Sequence, residues 1–333
     1  MKLVVIIPAY NEEKTISQVI EQIPKKIEGI DDIEVIVIDD GSTDATAQLA
    51  EKAGAIVIQH KDNLGVGKAF STGIENALQR GADIIVNIDG DGQFDPKDIP
   101  KLIEPILKGE ADFVTASRFK DKSLVPKMPL IKKWGNYIVR AIINLLTGEN
   151  FTDVACGFRA YSRQTALKLN LFGSFTYTQE TFLNLVEKGV RIKEIPLKVK
   201  GQREFGESKV AKSVLRYGIK AGSIILLALR DLKPLSFFGW IGIFTSLLGL
   251  AGIGFVFVHW LLTSKTSPYQ SLLLAGAVLL IVGFLLIVLA LIADMMGRIR
   301  KNQENILYML KELHYQSGRE KENKYAEQKK ASN

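Results

Sequence analysis

The chemistry most clearly written into the sequence lies in Asp89-Gly90-Asp91-Gly92-Gln93. Two carboxylates one glycine apart, just after a run of Ile and Val, can turn toward one point while the glycines permit the tight backbone. Hard oxygen donors of this kind suit Mg²⁺ or Mn²⁺. Asp89, Asp91 and the Gln93 amide oxygen would fill part of the coordination sphere and leave the rest to water and phosphate oxygens. A calcium EF-hand is excluded, because no Glu follows at the twelfth loop position. The single cysteine, Cys156, and three scattered histidines can build neither a disulfide framework nor a Cys/His metal cluster, so a metal must rest on carboxylates.

Such a loop needs a rigid element behind it, and the sequence supplies several. Leu3–Ile7, Glu34–Ile38, Ala55–Ile58, Ile84–Ile88 and Phe113–Ala116 read as strands. They are nearly continuous in Val and Ile, the pattern of a mainly parallel sheet covered on both faces. Helices are expected over Glu12–Ile23, Ala45–Ala53, Gly67–Gln79 and Pro96–Leu107, with Ser42 or Thr43 and Asp95 as N-caps. The fold class predicted is a doubly wound α/β sheet. Each strand is followed by a polar cluster: Pro8 to Glu12, Asp39 to Asp44, Asn63 to Lys68, Asp89 to Gln93, and Ser117 with Arg118. Open α/β sheets bind ligands at the carboxyl ends of their strands, so the five clusters describe one crevice.

The segments IPAYNE, DDGSTD, NLGVGKA and DGDGQ, in this order, resemble family 2 glycosyltransferases of the GT-A fold over roughly residues 1–200. The later segments DVACGFRA (153–160) and REFGESK (203–209), followed by two apolar spans, look like polyprenyl-phosphate glycosyltransferases, the group of dolichyl-phosphate mannose and glucose synthases. The resemblance implies that Pro8, Ala9, Tyr10, Glu12 and Asp39 hold the nucleoside of a nucleoside diphosphate sugar, GDP-mannose or a UDP-hexose, with Asp39 on the base and Asp40 a weaker contact. Lys68, on the glycine-bearing loop, and Gly90 join this nucleotide-sugar set. It also implies that Asp89 and Asp91, with Gln93 third, bind the metal that bridges the donor diphosphate. The QxxRW motif of processive synthases is absent, which argues for a single transfer per encounter.

A hydroxyl acceptor calls for a general base. A phosphate monoester, with a second pKa near ~6, is already anionic and needs cations instead. The candidates are Arg118, Arg203 and Lys209, favoured by the resemblance, and Lys133 and Arg140, which lie on an amphipathic stretch. Asp91, Arg118, Arg203 and Lys209 form the expected catalytic set. Residues 127–147 carry Leu130, Trp134, Ile138, Ile142 and Leu145 on one face and Lys133, Asn136 and Arg140 on another. Residues 207–233 align Lys209, Lys212, Arg216 and Lys220 against an apolar face. Both read as helices lying in a membrane interface. Glu180 stands where hydroxyl-transferring relatives carry a base, the pattern a diacylglycerol or sterol acceptor would need; orienting the acceptor and a plain helix-terminal charge are its other readings. Asp153 is expected to hold an arginine such as Arg159.

No charged residue separates Lys233 from Lys265, or Lys265 from Asp294. Two spans, about 237–262 and 272–293, form a hairpin, with Gly239, Gly242, Gly249, Gly252 and Gly254 allowing close helix approach. Arg230, Lys233, Arg298, Arg300 and Lys301 flank its outer ends while Lys265 alone marks the tip, which places the bulk of the chain in the cytoplasm. The domains expected are therefore a catalytic domain over 1–206, an interface helix over 207–233, the spans within 234–296 and a basic tail over 297–333, helical through Glu312 and then disordered. The short apolar start MKLVVIIPAY, closed by Pro8, does not read as a signal peptide. The net charge of +7 suits anionic ligands and anionic lipid. Nucleic acid is not expected, because the cations adjoin apolar stretches without interleaved aromatics for stacking. A non-catalytic anchoring subunit is the rival reading, and a homo-oligomer is left open.

Overall fold

The structure is a computed structural model that describes residues 1–126, 128, 130–170, 177–200 and 234–331, with the side chains of 130–132 and 317–331 outside the description. The chain folds as two compact units, residues 1–217 with 306–333, and residues 218–305.

Seven strands form one sheet in the first unit: β1 (Lys2–Ala9), β2 (Asp32–Asp39), β3 (Ile56–Gln59), β4 (Ile84–Asn87), β5 (Phe113–Ser117), β6 (Arg159–Ser162) and β7 (Ile192–Pro196), in the order β3-β2-β1-β4-β6-β5-β7. All pairings are parallel except those of β6, which runs antiparallel between β4 and β5. Leu3, Val4, Val5, Ile6 and Ile7 of β1 are all fully buried, as a strand covered on both faces requires. The doubly wound, mainly parallel GT-A architecture is thereby realised, with one antiparallel strand inserted.

Helices α1 (Ile16–Glu21), α2 (Thr46–Lys52) and α4 (Ile99–Leu107) follow β1, β2 and β4, and α3 (Val66–Gln79) follows β3. Beneath α1 and α4 lies a core of Leu3, Val5, Ile7, Val37, Val86 and Ile88. On α3, Gly73 lets the helix settle on the sheet: a Cβ there would stand 2.9 Å from Ile38 and 3.0 Å from Ile6. Asp95 caps the turn before α4 as expected, accepting from the Lys97 amide at 3.0 Å. The expected caps Ser42 and Thr43 do not cap α2. The cap position is Ala45, which has no side-chain oxygen; Asp44 just before it accepts from the Thr46 amide at 3.0 Å, while Ser42 Oγ accepts from Asn11 N at 2.9 Å.

Helix α5 (Leu130–Thr147) packs against α7 (Tyr177–Glu187), and α6 (Arg163–Lys168) lies beside β6. In α5, Val139, Ile143 and Leu146 are buried, whereas Trp134, Ile138 and Leu145 of the predicted apolar stripe are exposed by 66%, 47% and 79%. Of the same stripe Ile142 is half-buried, and the Leu130 side chain lies outside the described residues.

In the second unit α8 (Pro234–Thr263) and the first part of α9 (Gln270–Ala331) are each long and apolar enough to cross a membrane. Their contact is narrower than the glycine count suggests. A Cβ on Gly242 would lie 2.8 Å from Gly283 O, and one on Gly249 2.7 Å from Gly276 O, so these four glycines let the backbones touch. Gly239 and Gly254 have nothing within 4 Å of that position and do not serve the approach. Helix α9 does not stop at Glu312 but continues to Ala331, because its Lys-, Glu- and Gln-rich end contains good helix formers and no proline. Within the first unit, Lys311 Nζ donates to Leu169 O and Asn170 Oδ1, both at 2.9 Å.

Candidate active site

Beyond β4, the Ile88 amide still donates to Ile6 O at 3.1 Å, so Asp89 leaves the sheet at its carboxyl edge. Gly90 O accepts from the Thr15 hydroxyl at 2.7 Å. Asp91 is 3% exposed, and its Oδ1 closes an Asx turn by accepting from Gln93 N at 3.0 Å, a turn that Gly92 completes at φ +69°. The Asp89 carboxylate rests against Gly157, where a Cβ would stand 2.8 Å from Oδ2 and 2.9 Å from Oδ1. Only a glycine leaves room for the acid there. The Gln93 side-chain amide donates to Lys200 O at 3.3 Å and the Gln93 main-chain carbonyl accepts from Lys200 N at 3.0 Å, tying the acidic loop to the segment after β7.

Among the described residues no three His, Cys, Asp or Glu side chains gather as a metal group. Asp89 and Asp91 are hard oxygen donors that, with Asp89 cradled on Gly157, fit a Mg²⁺ or Mn²⁺ ion, whereas the side-chain amide of Gln93, the third ligand expected, donates to Lys200 O.

On the β1–β2 side, Pro8 and Ala9 are buried at the end of β1, and the turns after the two strands are laced together. Glu12 N donates to Thr46 Oγ1 at 2.9 Å and Thr43 N to Asn11 Oδ1 at 2.9 Å. Asp39 is fully buried. Its Oδ1 accepts from Ser42 N at 3.1 Å, while Oδ2 has no hydrogen-bond partner. A buried acceptor of this kind is costly unless a ligand donor meets it. Asp40 differs: it accepts from the Leu64 and Gly65 amides at 3.0 and 2.8 Å and pairs with His60 Nδ1 at 2.7 Å, so it anchors the 60–65 loop instead of facing a ligand. Lys68 is exposed on the first turn of α3.

Arg118 follows β5. Its Nε and Nη2 form a fork on Asp153 at 2.6 and 2.8 Å, and its amide adds a third bond to the same acid at 3.1 Å. Burial disfavours the charged guanidinium, but the fully buried Asp153 outweighs it and raises Arg118 above its ordinary range, with the Asp89 charge adding to the effect. The partner expected for Asp153 was Arg159, and the structure corrects this. Arg159 points to the other face of β6, where Nε donates to Cys156 O at 2.7 Å. Tyr177, buried and stacked on Phe70 at 4.7 Å, is held well above the usual phenol range by burial and by the Asp89 charge.

Next to Arg118 a cavity of about 90 Å³ is lined by Phe119, Lys133, Asn136, Tyr137, Arg140 and Thr152. Arg140 lies 4.8 Å above the Tyr137 ring, and Asn136 Oδ1 is buried without a partner. The surface turned to the cavity is almost entirely apolar, and the Thr152 hydroxyl is already held by Glu194 and Ser117, so the recess is greasy, with the stems of Lys133 and Arg140 in its wall. The residues Arg203 and Lys209, and the helix expected over 207–233, lie outside the described residues. Sequence reasoning did not single out Gly157, Thr152, His60 or Glu194. Gly157 stood within a quoted motif, but what its missing side chain makes room for is visible only once β6 is placed beside β4.

A mainly parallel sheet with a late antiparallel strand, an acidic pair at the carboxyl end of its central strand and a polar crevice beside it defines a GT-A glycosyltransferase. Residues 4–169 match the family described as Glycosyl transferase family 2. The chain is 39% identical over 181 residues to UDP-N-acetylglucosamine–dolichyl-phosphate N-acetylglucosaminyltransferase of Methanococcus voltae, covering 49% of this chain and 70% of that one. It is 27% identical over 314 residues to dodecaprenyl-phosphate galacturonate synthase of Rhizobium johnstonii, covering 90% and 88%. The fold is shared with glucosyl-3-phosphoglycerate synthase of Mycobacterium tuberculosis, solved with Mn²⁺, uridine diphosphate and phosphoglyceric acid, at TM-score 0.52 and 24% identity over 69% of this chain and 77% of that one. The protein belongs to glycosyl transferase family 2.

Proposed function

We propose that this glycosyltransferase moves one sugar from a nucleoside diphosphate sugar to a polyprenyl phosphate, dolichyl phosphate being the acceptor class that the M. voltae relative's name carries. The observation that carries the reading is the Arg118–Asp153 fork, whose cation also feels the Asp89 charge, together with a helix that bears Lys133 and Arg140 and leaves Trp134, Ile138 and Leu145 exposed.

In this reading Asp39 Oδ2 accepts from the base, and the turns after β1 and β2 seat the ribose. Asp89 and Asp91 would hold Mg²⁺ or Mn²⁺, which when bound neutralises charge on the donor diphosphate. Arg118, Lys133 and Arg140 gather the acceptor phosphate and offset its repulsion from the donor; Arg203 and Lys209 join them by resemblance. The phosphate is anionic at neutral pH, so no proton has to be removed. Its oxygen forms the new bond to the anomeric carbon as the bond to the nucleoside diphosphate breaks on the opposite side, which inverts the configuration. Asp153 keeps the Arg118 fork aimed throughout. Residues 237–262 and 272–293 anchor the chain, and the basic outer ends put the catalytic unit on the cytoplasmic face.

The test is to incubate detergent-solubilised protein with a panel of labelled nucleotide sugars and dolichyl phosphate, and to follow label into organic solvent. Transfer of one sugar per lipid, abolished by chelator and reduced at least 100-fold in Asp91→Ala, is expected. Full transfer in the presence of chelator would remove the metal from the scheme, and label passing to a diacylglycerol or sterol but not to the phosphate would overturn the acceptor.

A further inference from the structure

Glu194 lies on β7 with 9% of its surface exposed, outside the crevice. Its carboxylate accepts from Thr152 N, from Thr152 Oγ1 and from Asp153 N, each at 2.9 Å. Arg159, fully buried, approaches the same turn from its other end: Nε donates to Cys156 O at 2.7 Å and Nη2 to Val154 O at 3.3 Å, with the guanidinium 5.0 Å from the Phe182 ring. Residues 152–157 are thus gripped at their amides by a buried negative charge and at their carbonyls by a buried positive one. Buried charges are retained at a cost unless hydrogen bonds satisfy them; main-chain groups meet the Glu194 carboxylate and two of the three Arg159 nitrogens, while Arg159 Nη1 is buried without a partner.

What the turn presents explains the arrangement. Asp153 takes the Arg118 fork, Thr152 lines the cavity beside α5, and Gly157 abuts the Asp89 carboxylate. We propose that Glu194 is a positioning residue for the acceptor phosphate, acting through Thr152 and through Asp153 on Arg118, with Arg159 closing the clamp. This rests on the reading of Arg118 as an acceptor-phosphate cation.

The experiment uses the full chain in detergent. Glu194→Gln removes the charge and one of the two acceptor oxygens, so the Thr152 and Asp153 amides share a single neutral acceptor and the grip on the turn loosens. Its kcat/KM for dolichyl phosphate should fall 10- to 100-fold, while binding of UDP or GDP with Mn²⁺, whichever the wild type takes, stays within twofold by calorimetry. Because Glu194 acts partly through Arg118, the two losses should not multiply: the double variant Arg118→Ala/Glu194→Gln should be worse than Arg118→Ala by no more than the 3- to 10-fold that the Thr152 contact carries. Additive losses, or nucleotide binding that falls together with acceptor use, would overturn the proposal and leave Glu194 a fold residue. If Glu194→Gln does not fold, Thr152→Val removes the hydroxyl contact alone, and an acceptor-specific loss of 3- to 10-fold is expected; unchanged acceptor kinetics would again refute the clamp. Hydrogen exchange over residues 150–158 should quicken in Glu194→Gln. That readout decides the clamp without turnover, so a wild type that transfers no sugar to lipid phosphate would sink the functional reading alone.

Discussion

At the scale of single residues, the site depends on shape as much as charge. Gly157 has an ordinary φ, so alanine is tolerated by the backbone there, yet its Cβ would stand 2.8 Å from Asp89 Oδ2 and the carboxylate must move. Gly157→Ala should therefore keep its melting temperature within a few degrees, raise the Mn²⁺ concentration needed for half-maximal transfer, and lower kcat 10- to 100-fold, as titration of activity against metal would show. A variant with wild-type metal dependence would mean the cradle is not needed. Its neighbour Cys156 is 1% exposed, and burial pushes its thiol up to about 12 from an ordinary 9.0. The folded chain therefore keeps a proton that the unfolded chain gives up. The stability this contributes is intact below about pH 9 and lost as pH rises toward 12. A thiol reagent should leave the native protein untouched at pH 8 and react once it is denatured, and the urea midpoint should fall between pH 9 and 11 less steeply in Cys156→Ala. The acidic pair was legible in the sequence because one glycine between two acids after a Val/Ile run is a local pattern. The partner of Asp153 was not, because Arg118 lies 35 residues away and meets it only through the sheet.

Among the elements, the strands that could be read are those buried on both faces, such as Leu3–Ile7, where apolar residues run without a break. Strands β6 and β7 escaped for a physical reason. Arg159-Ala-Tyr-Ser and Ile192-Lys-Glu-Ile-Pro are short and carry a buried Arg and a buried Glu, so neither shows the hydrophobic run that marks a core strand. These two strands supply both halves of the clamp on residues 152–157, which is why the support of the site stayed hidden while its acidic loop did not. Helix α5 is the opposite case. Its amphipathic spacing announced an apolar stripe, and Ile138 and Leu145 are exposed in the folded chain at 47% and 79%. Replacing both with glutamate removes apolar surface from no core, so the fold should hold. Transfer to long-chain polyprenyl phosphate in anionic vesicles should drop about tenfold or more, while transfer to a short, detergent-dispersed lipid phosphate should change by less than threefold. Equal loss on both acceptors would show that α5 serves the sheet and not the bilayer.

For the whole molecule the open question is which side of the bilayer each end of the spans faces, and charge supplies the argument. Lys265 is the single charged residue between Lys233 and Asp294, whereas Arg298, Arg300 and Lys301 follow the second span directly. Moving several cations across a membrane costs far more than moving one, so the charge pattern predicts that the tip of the hairpin is the part that crosses. The inertness of Cys156 makes this measurable in the native chain, because the buried thiol leaves a silent background for a membrane-impermeant maleimide. Ser267 at the tip and Asn302 beyond the second span are both exposed. In intact cells Ser267→Cys should label at once, and Asn302→Cys should label when the membrane is opened. The same two outcomes locate the catalytic unit, since an even number of spans returns the chain to the side it left. Labelling of Asn302→Cys in intact cells would place the nucleotide-sugar crevice outside, away from the cytoplasmic pool of activated sugars, and would require a different donor from the one the crevice is built to hold.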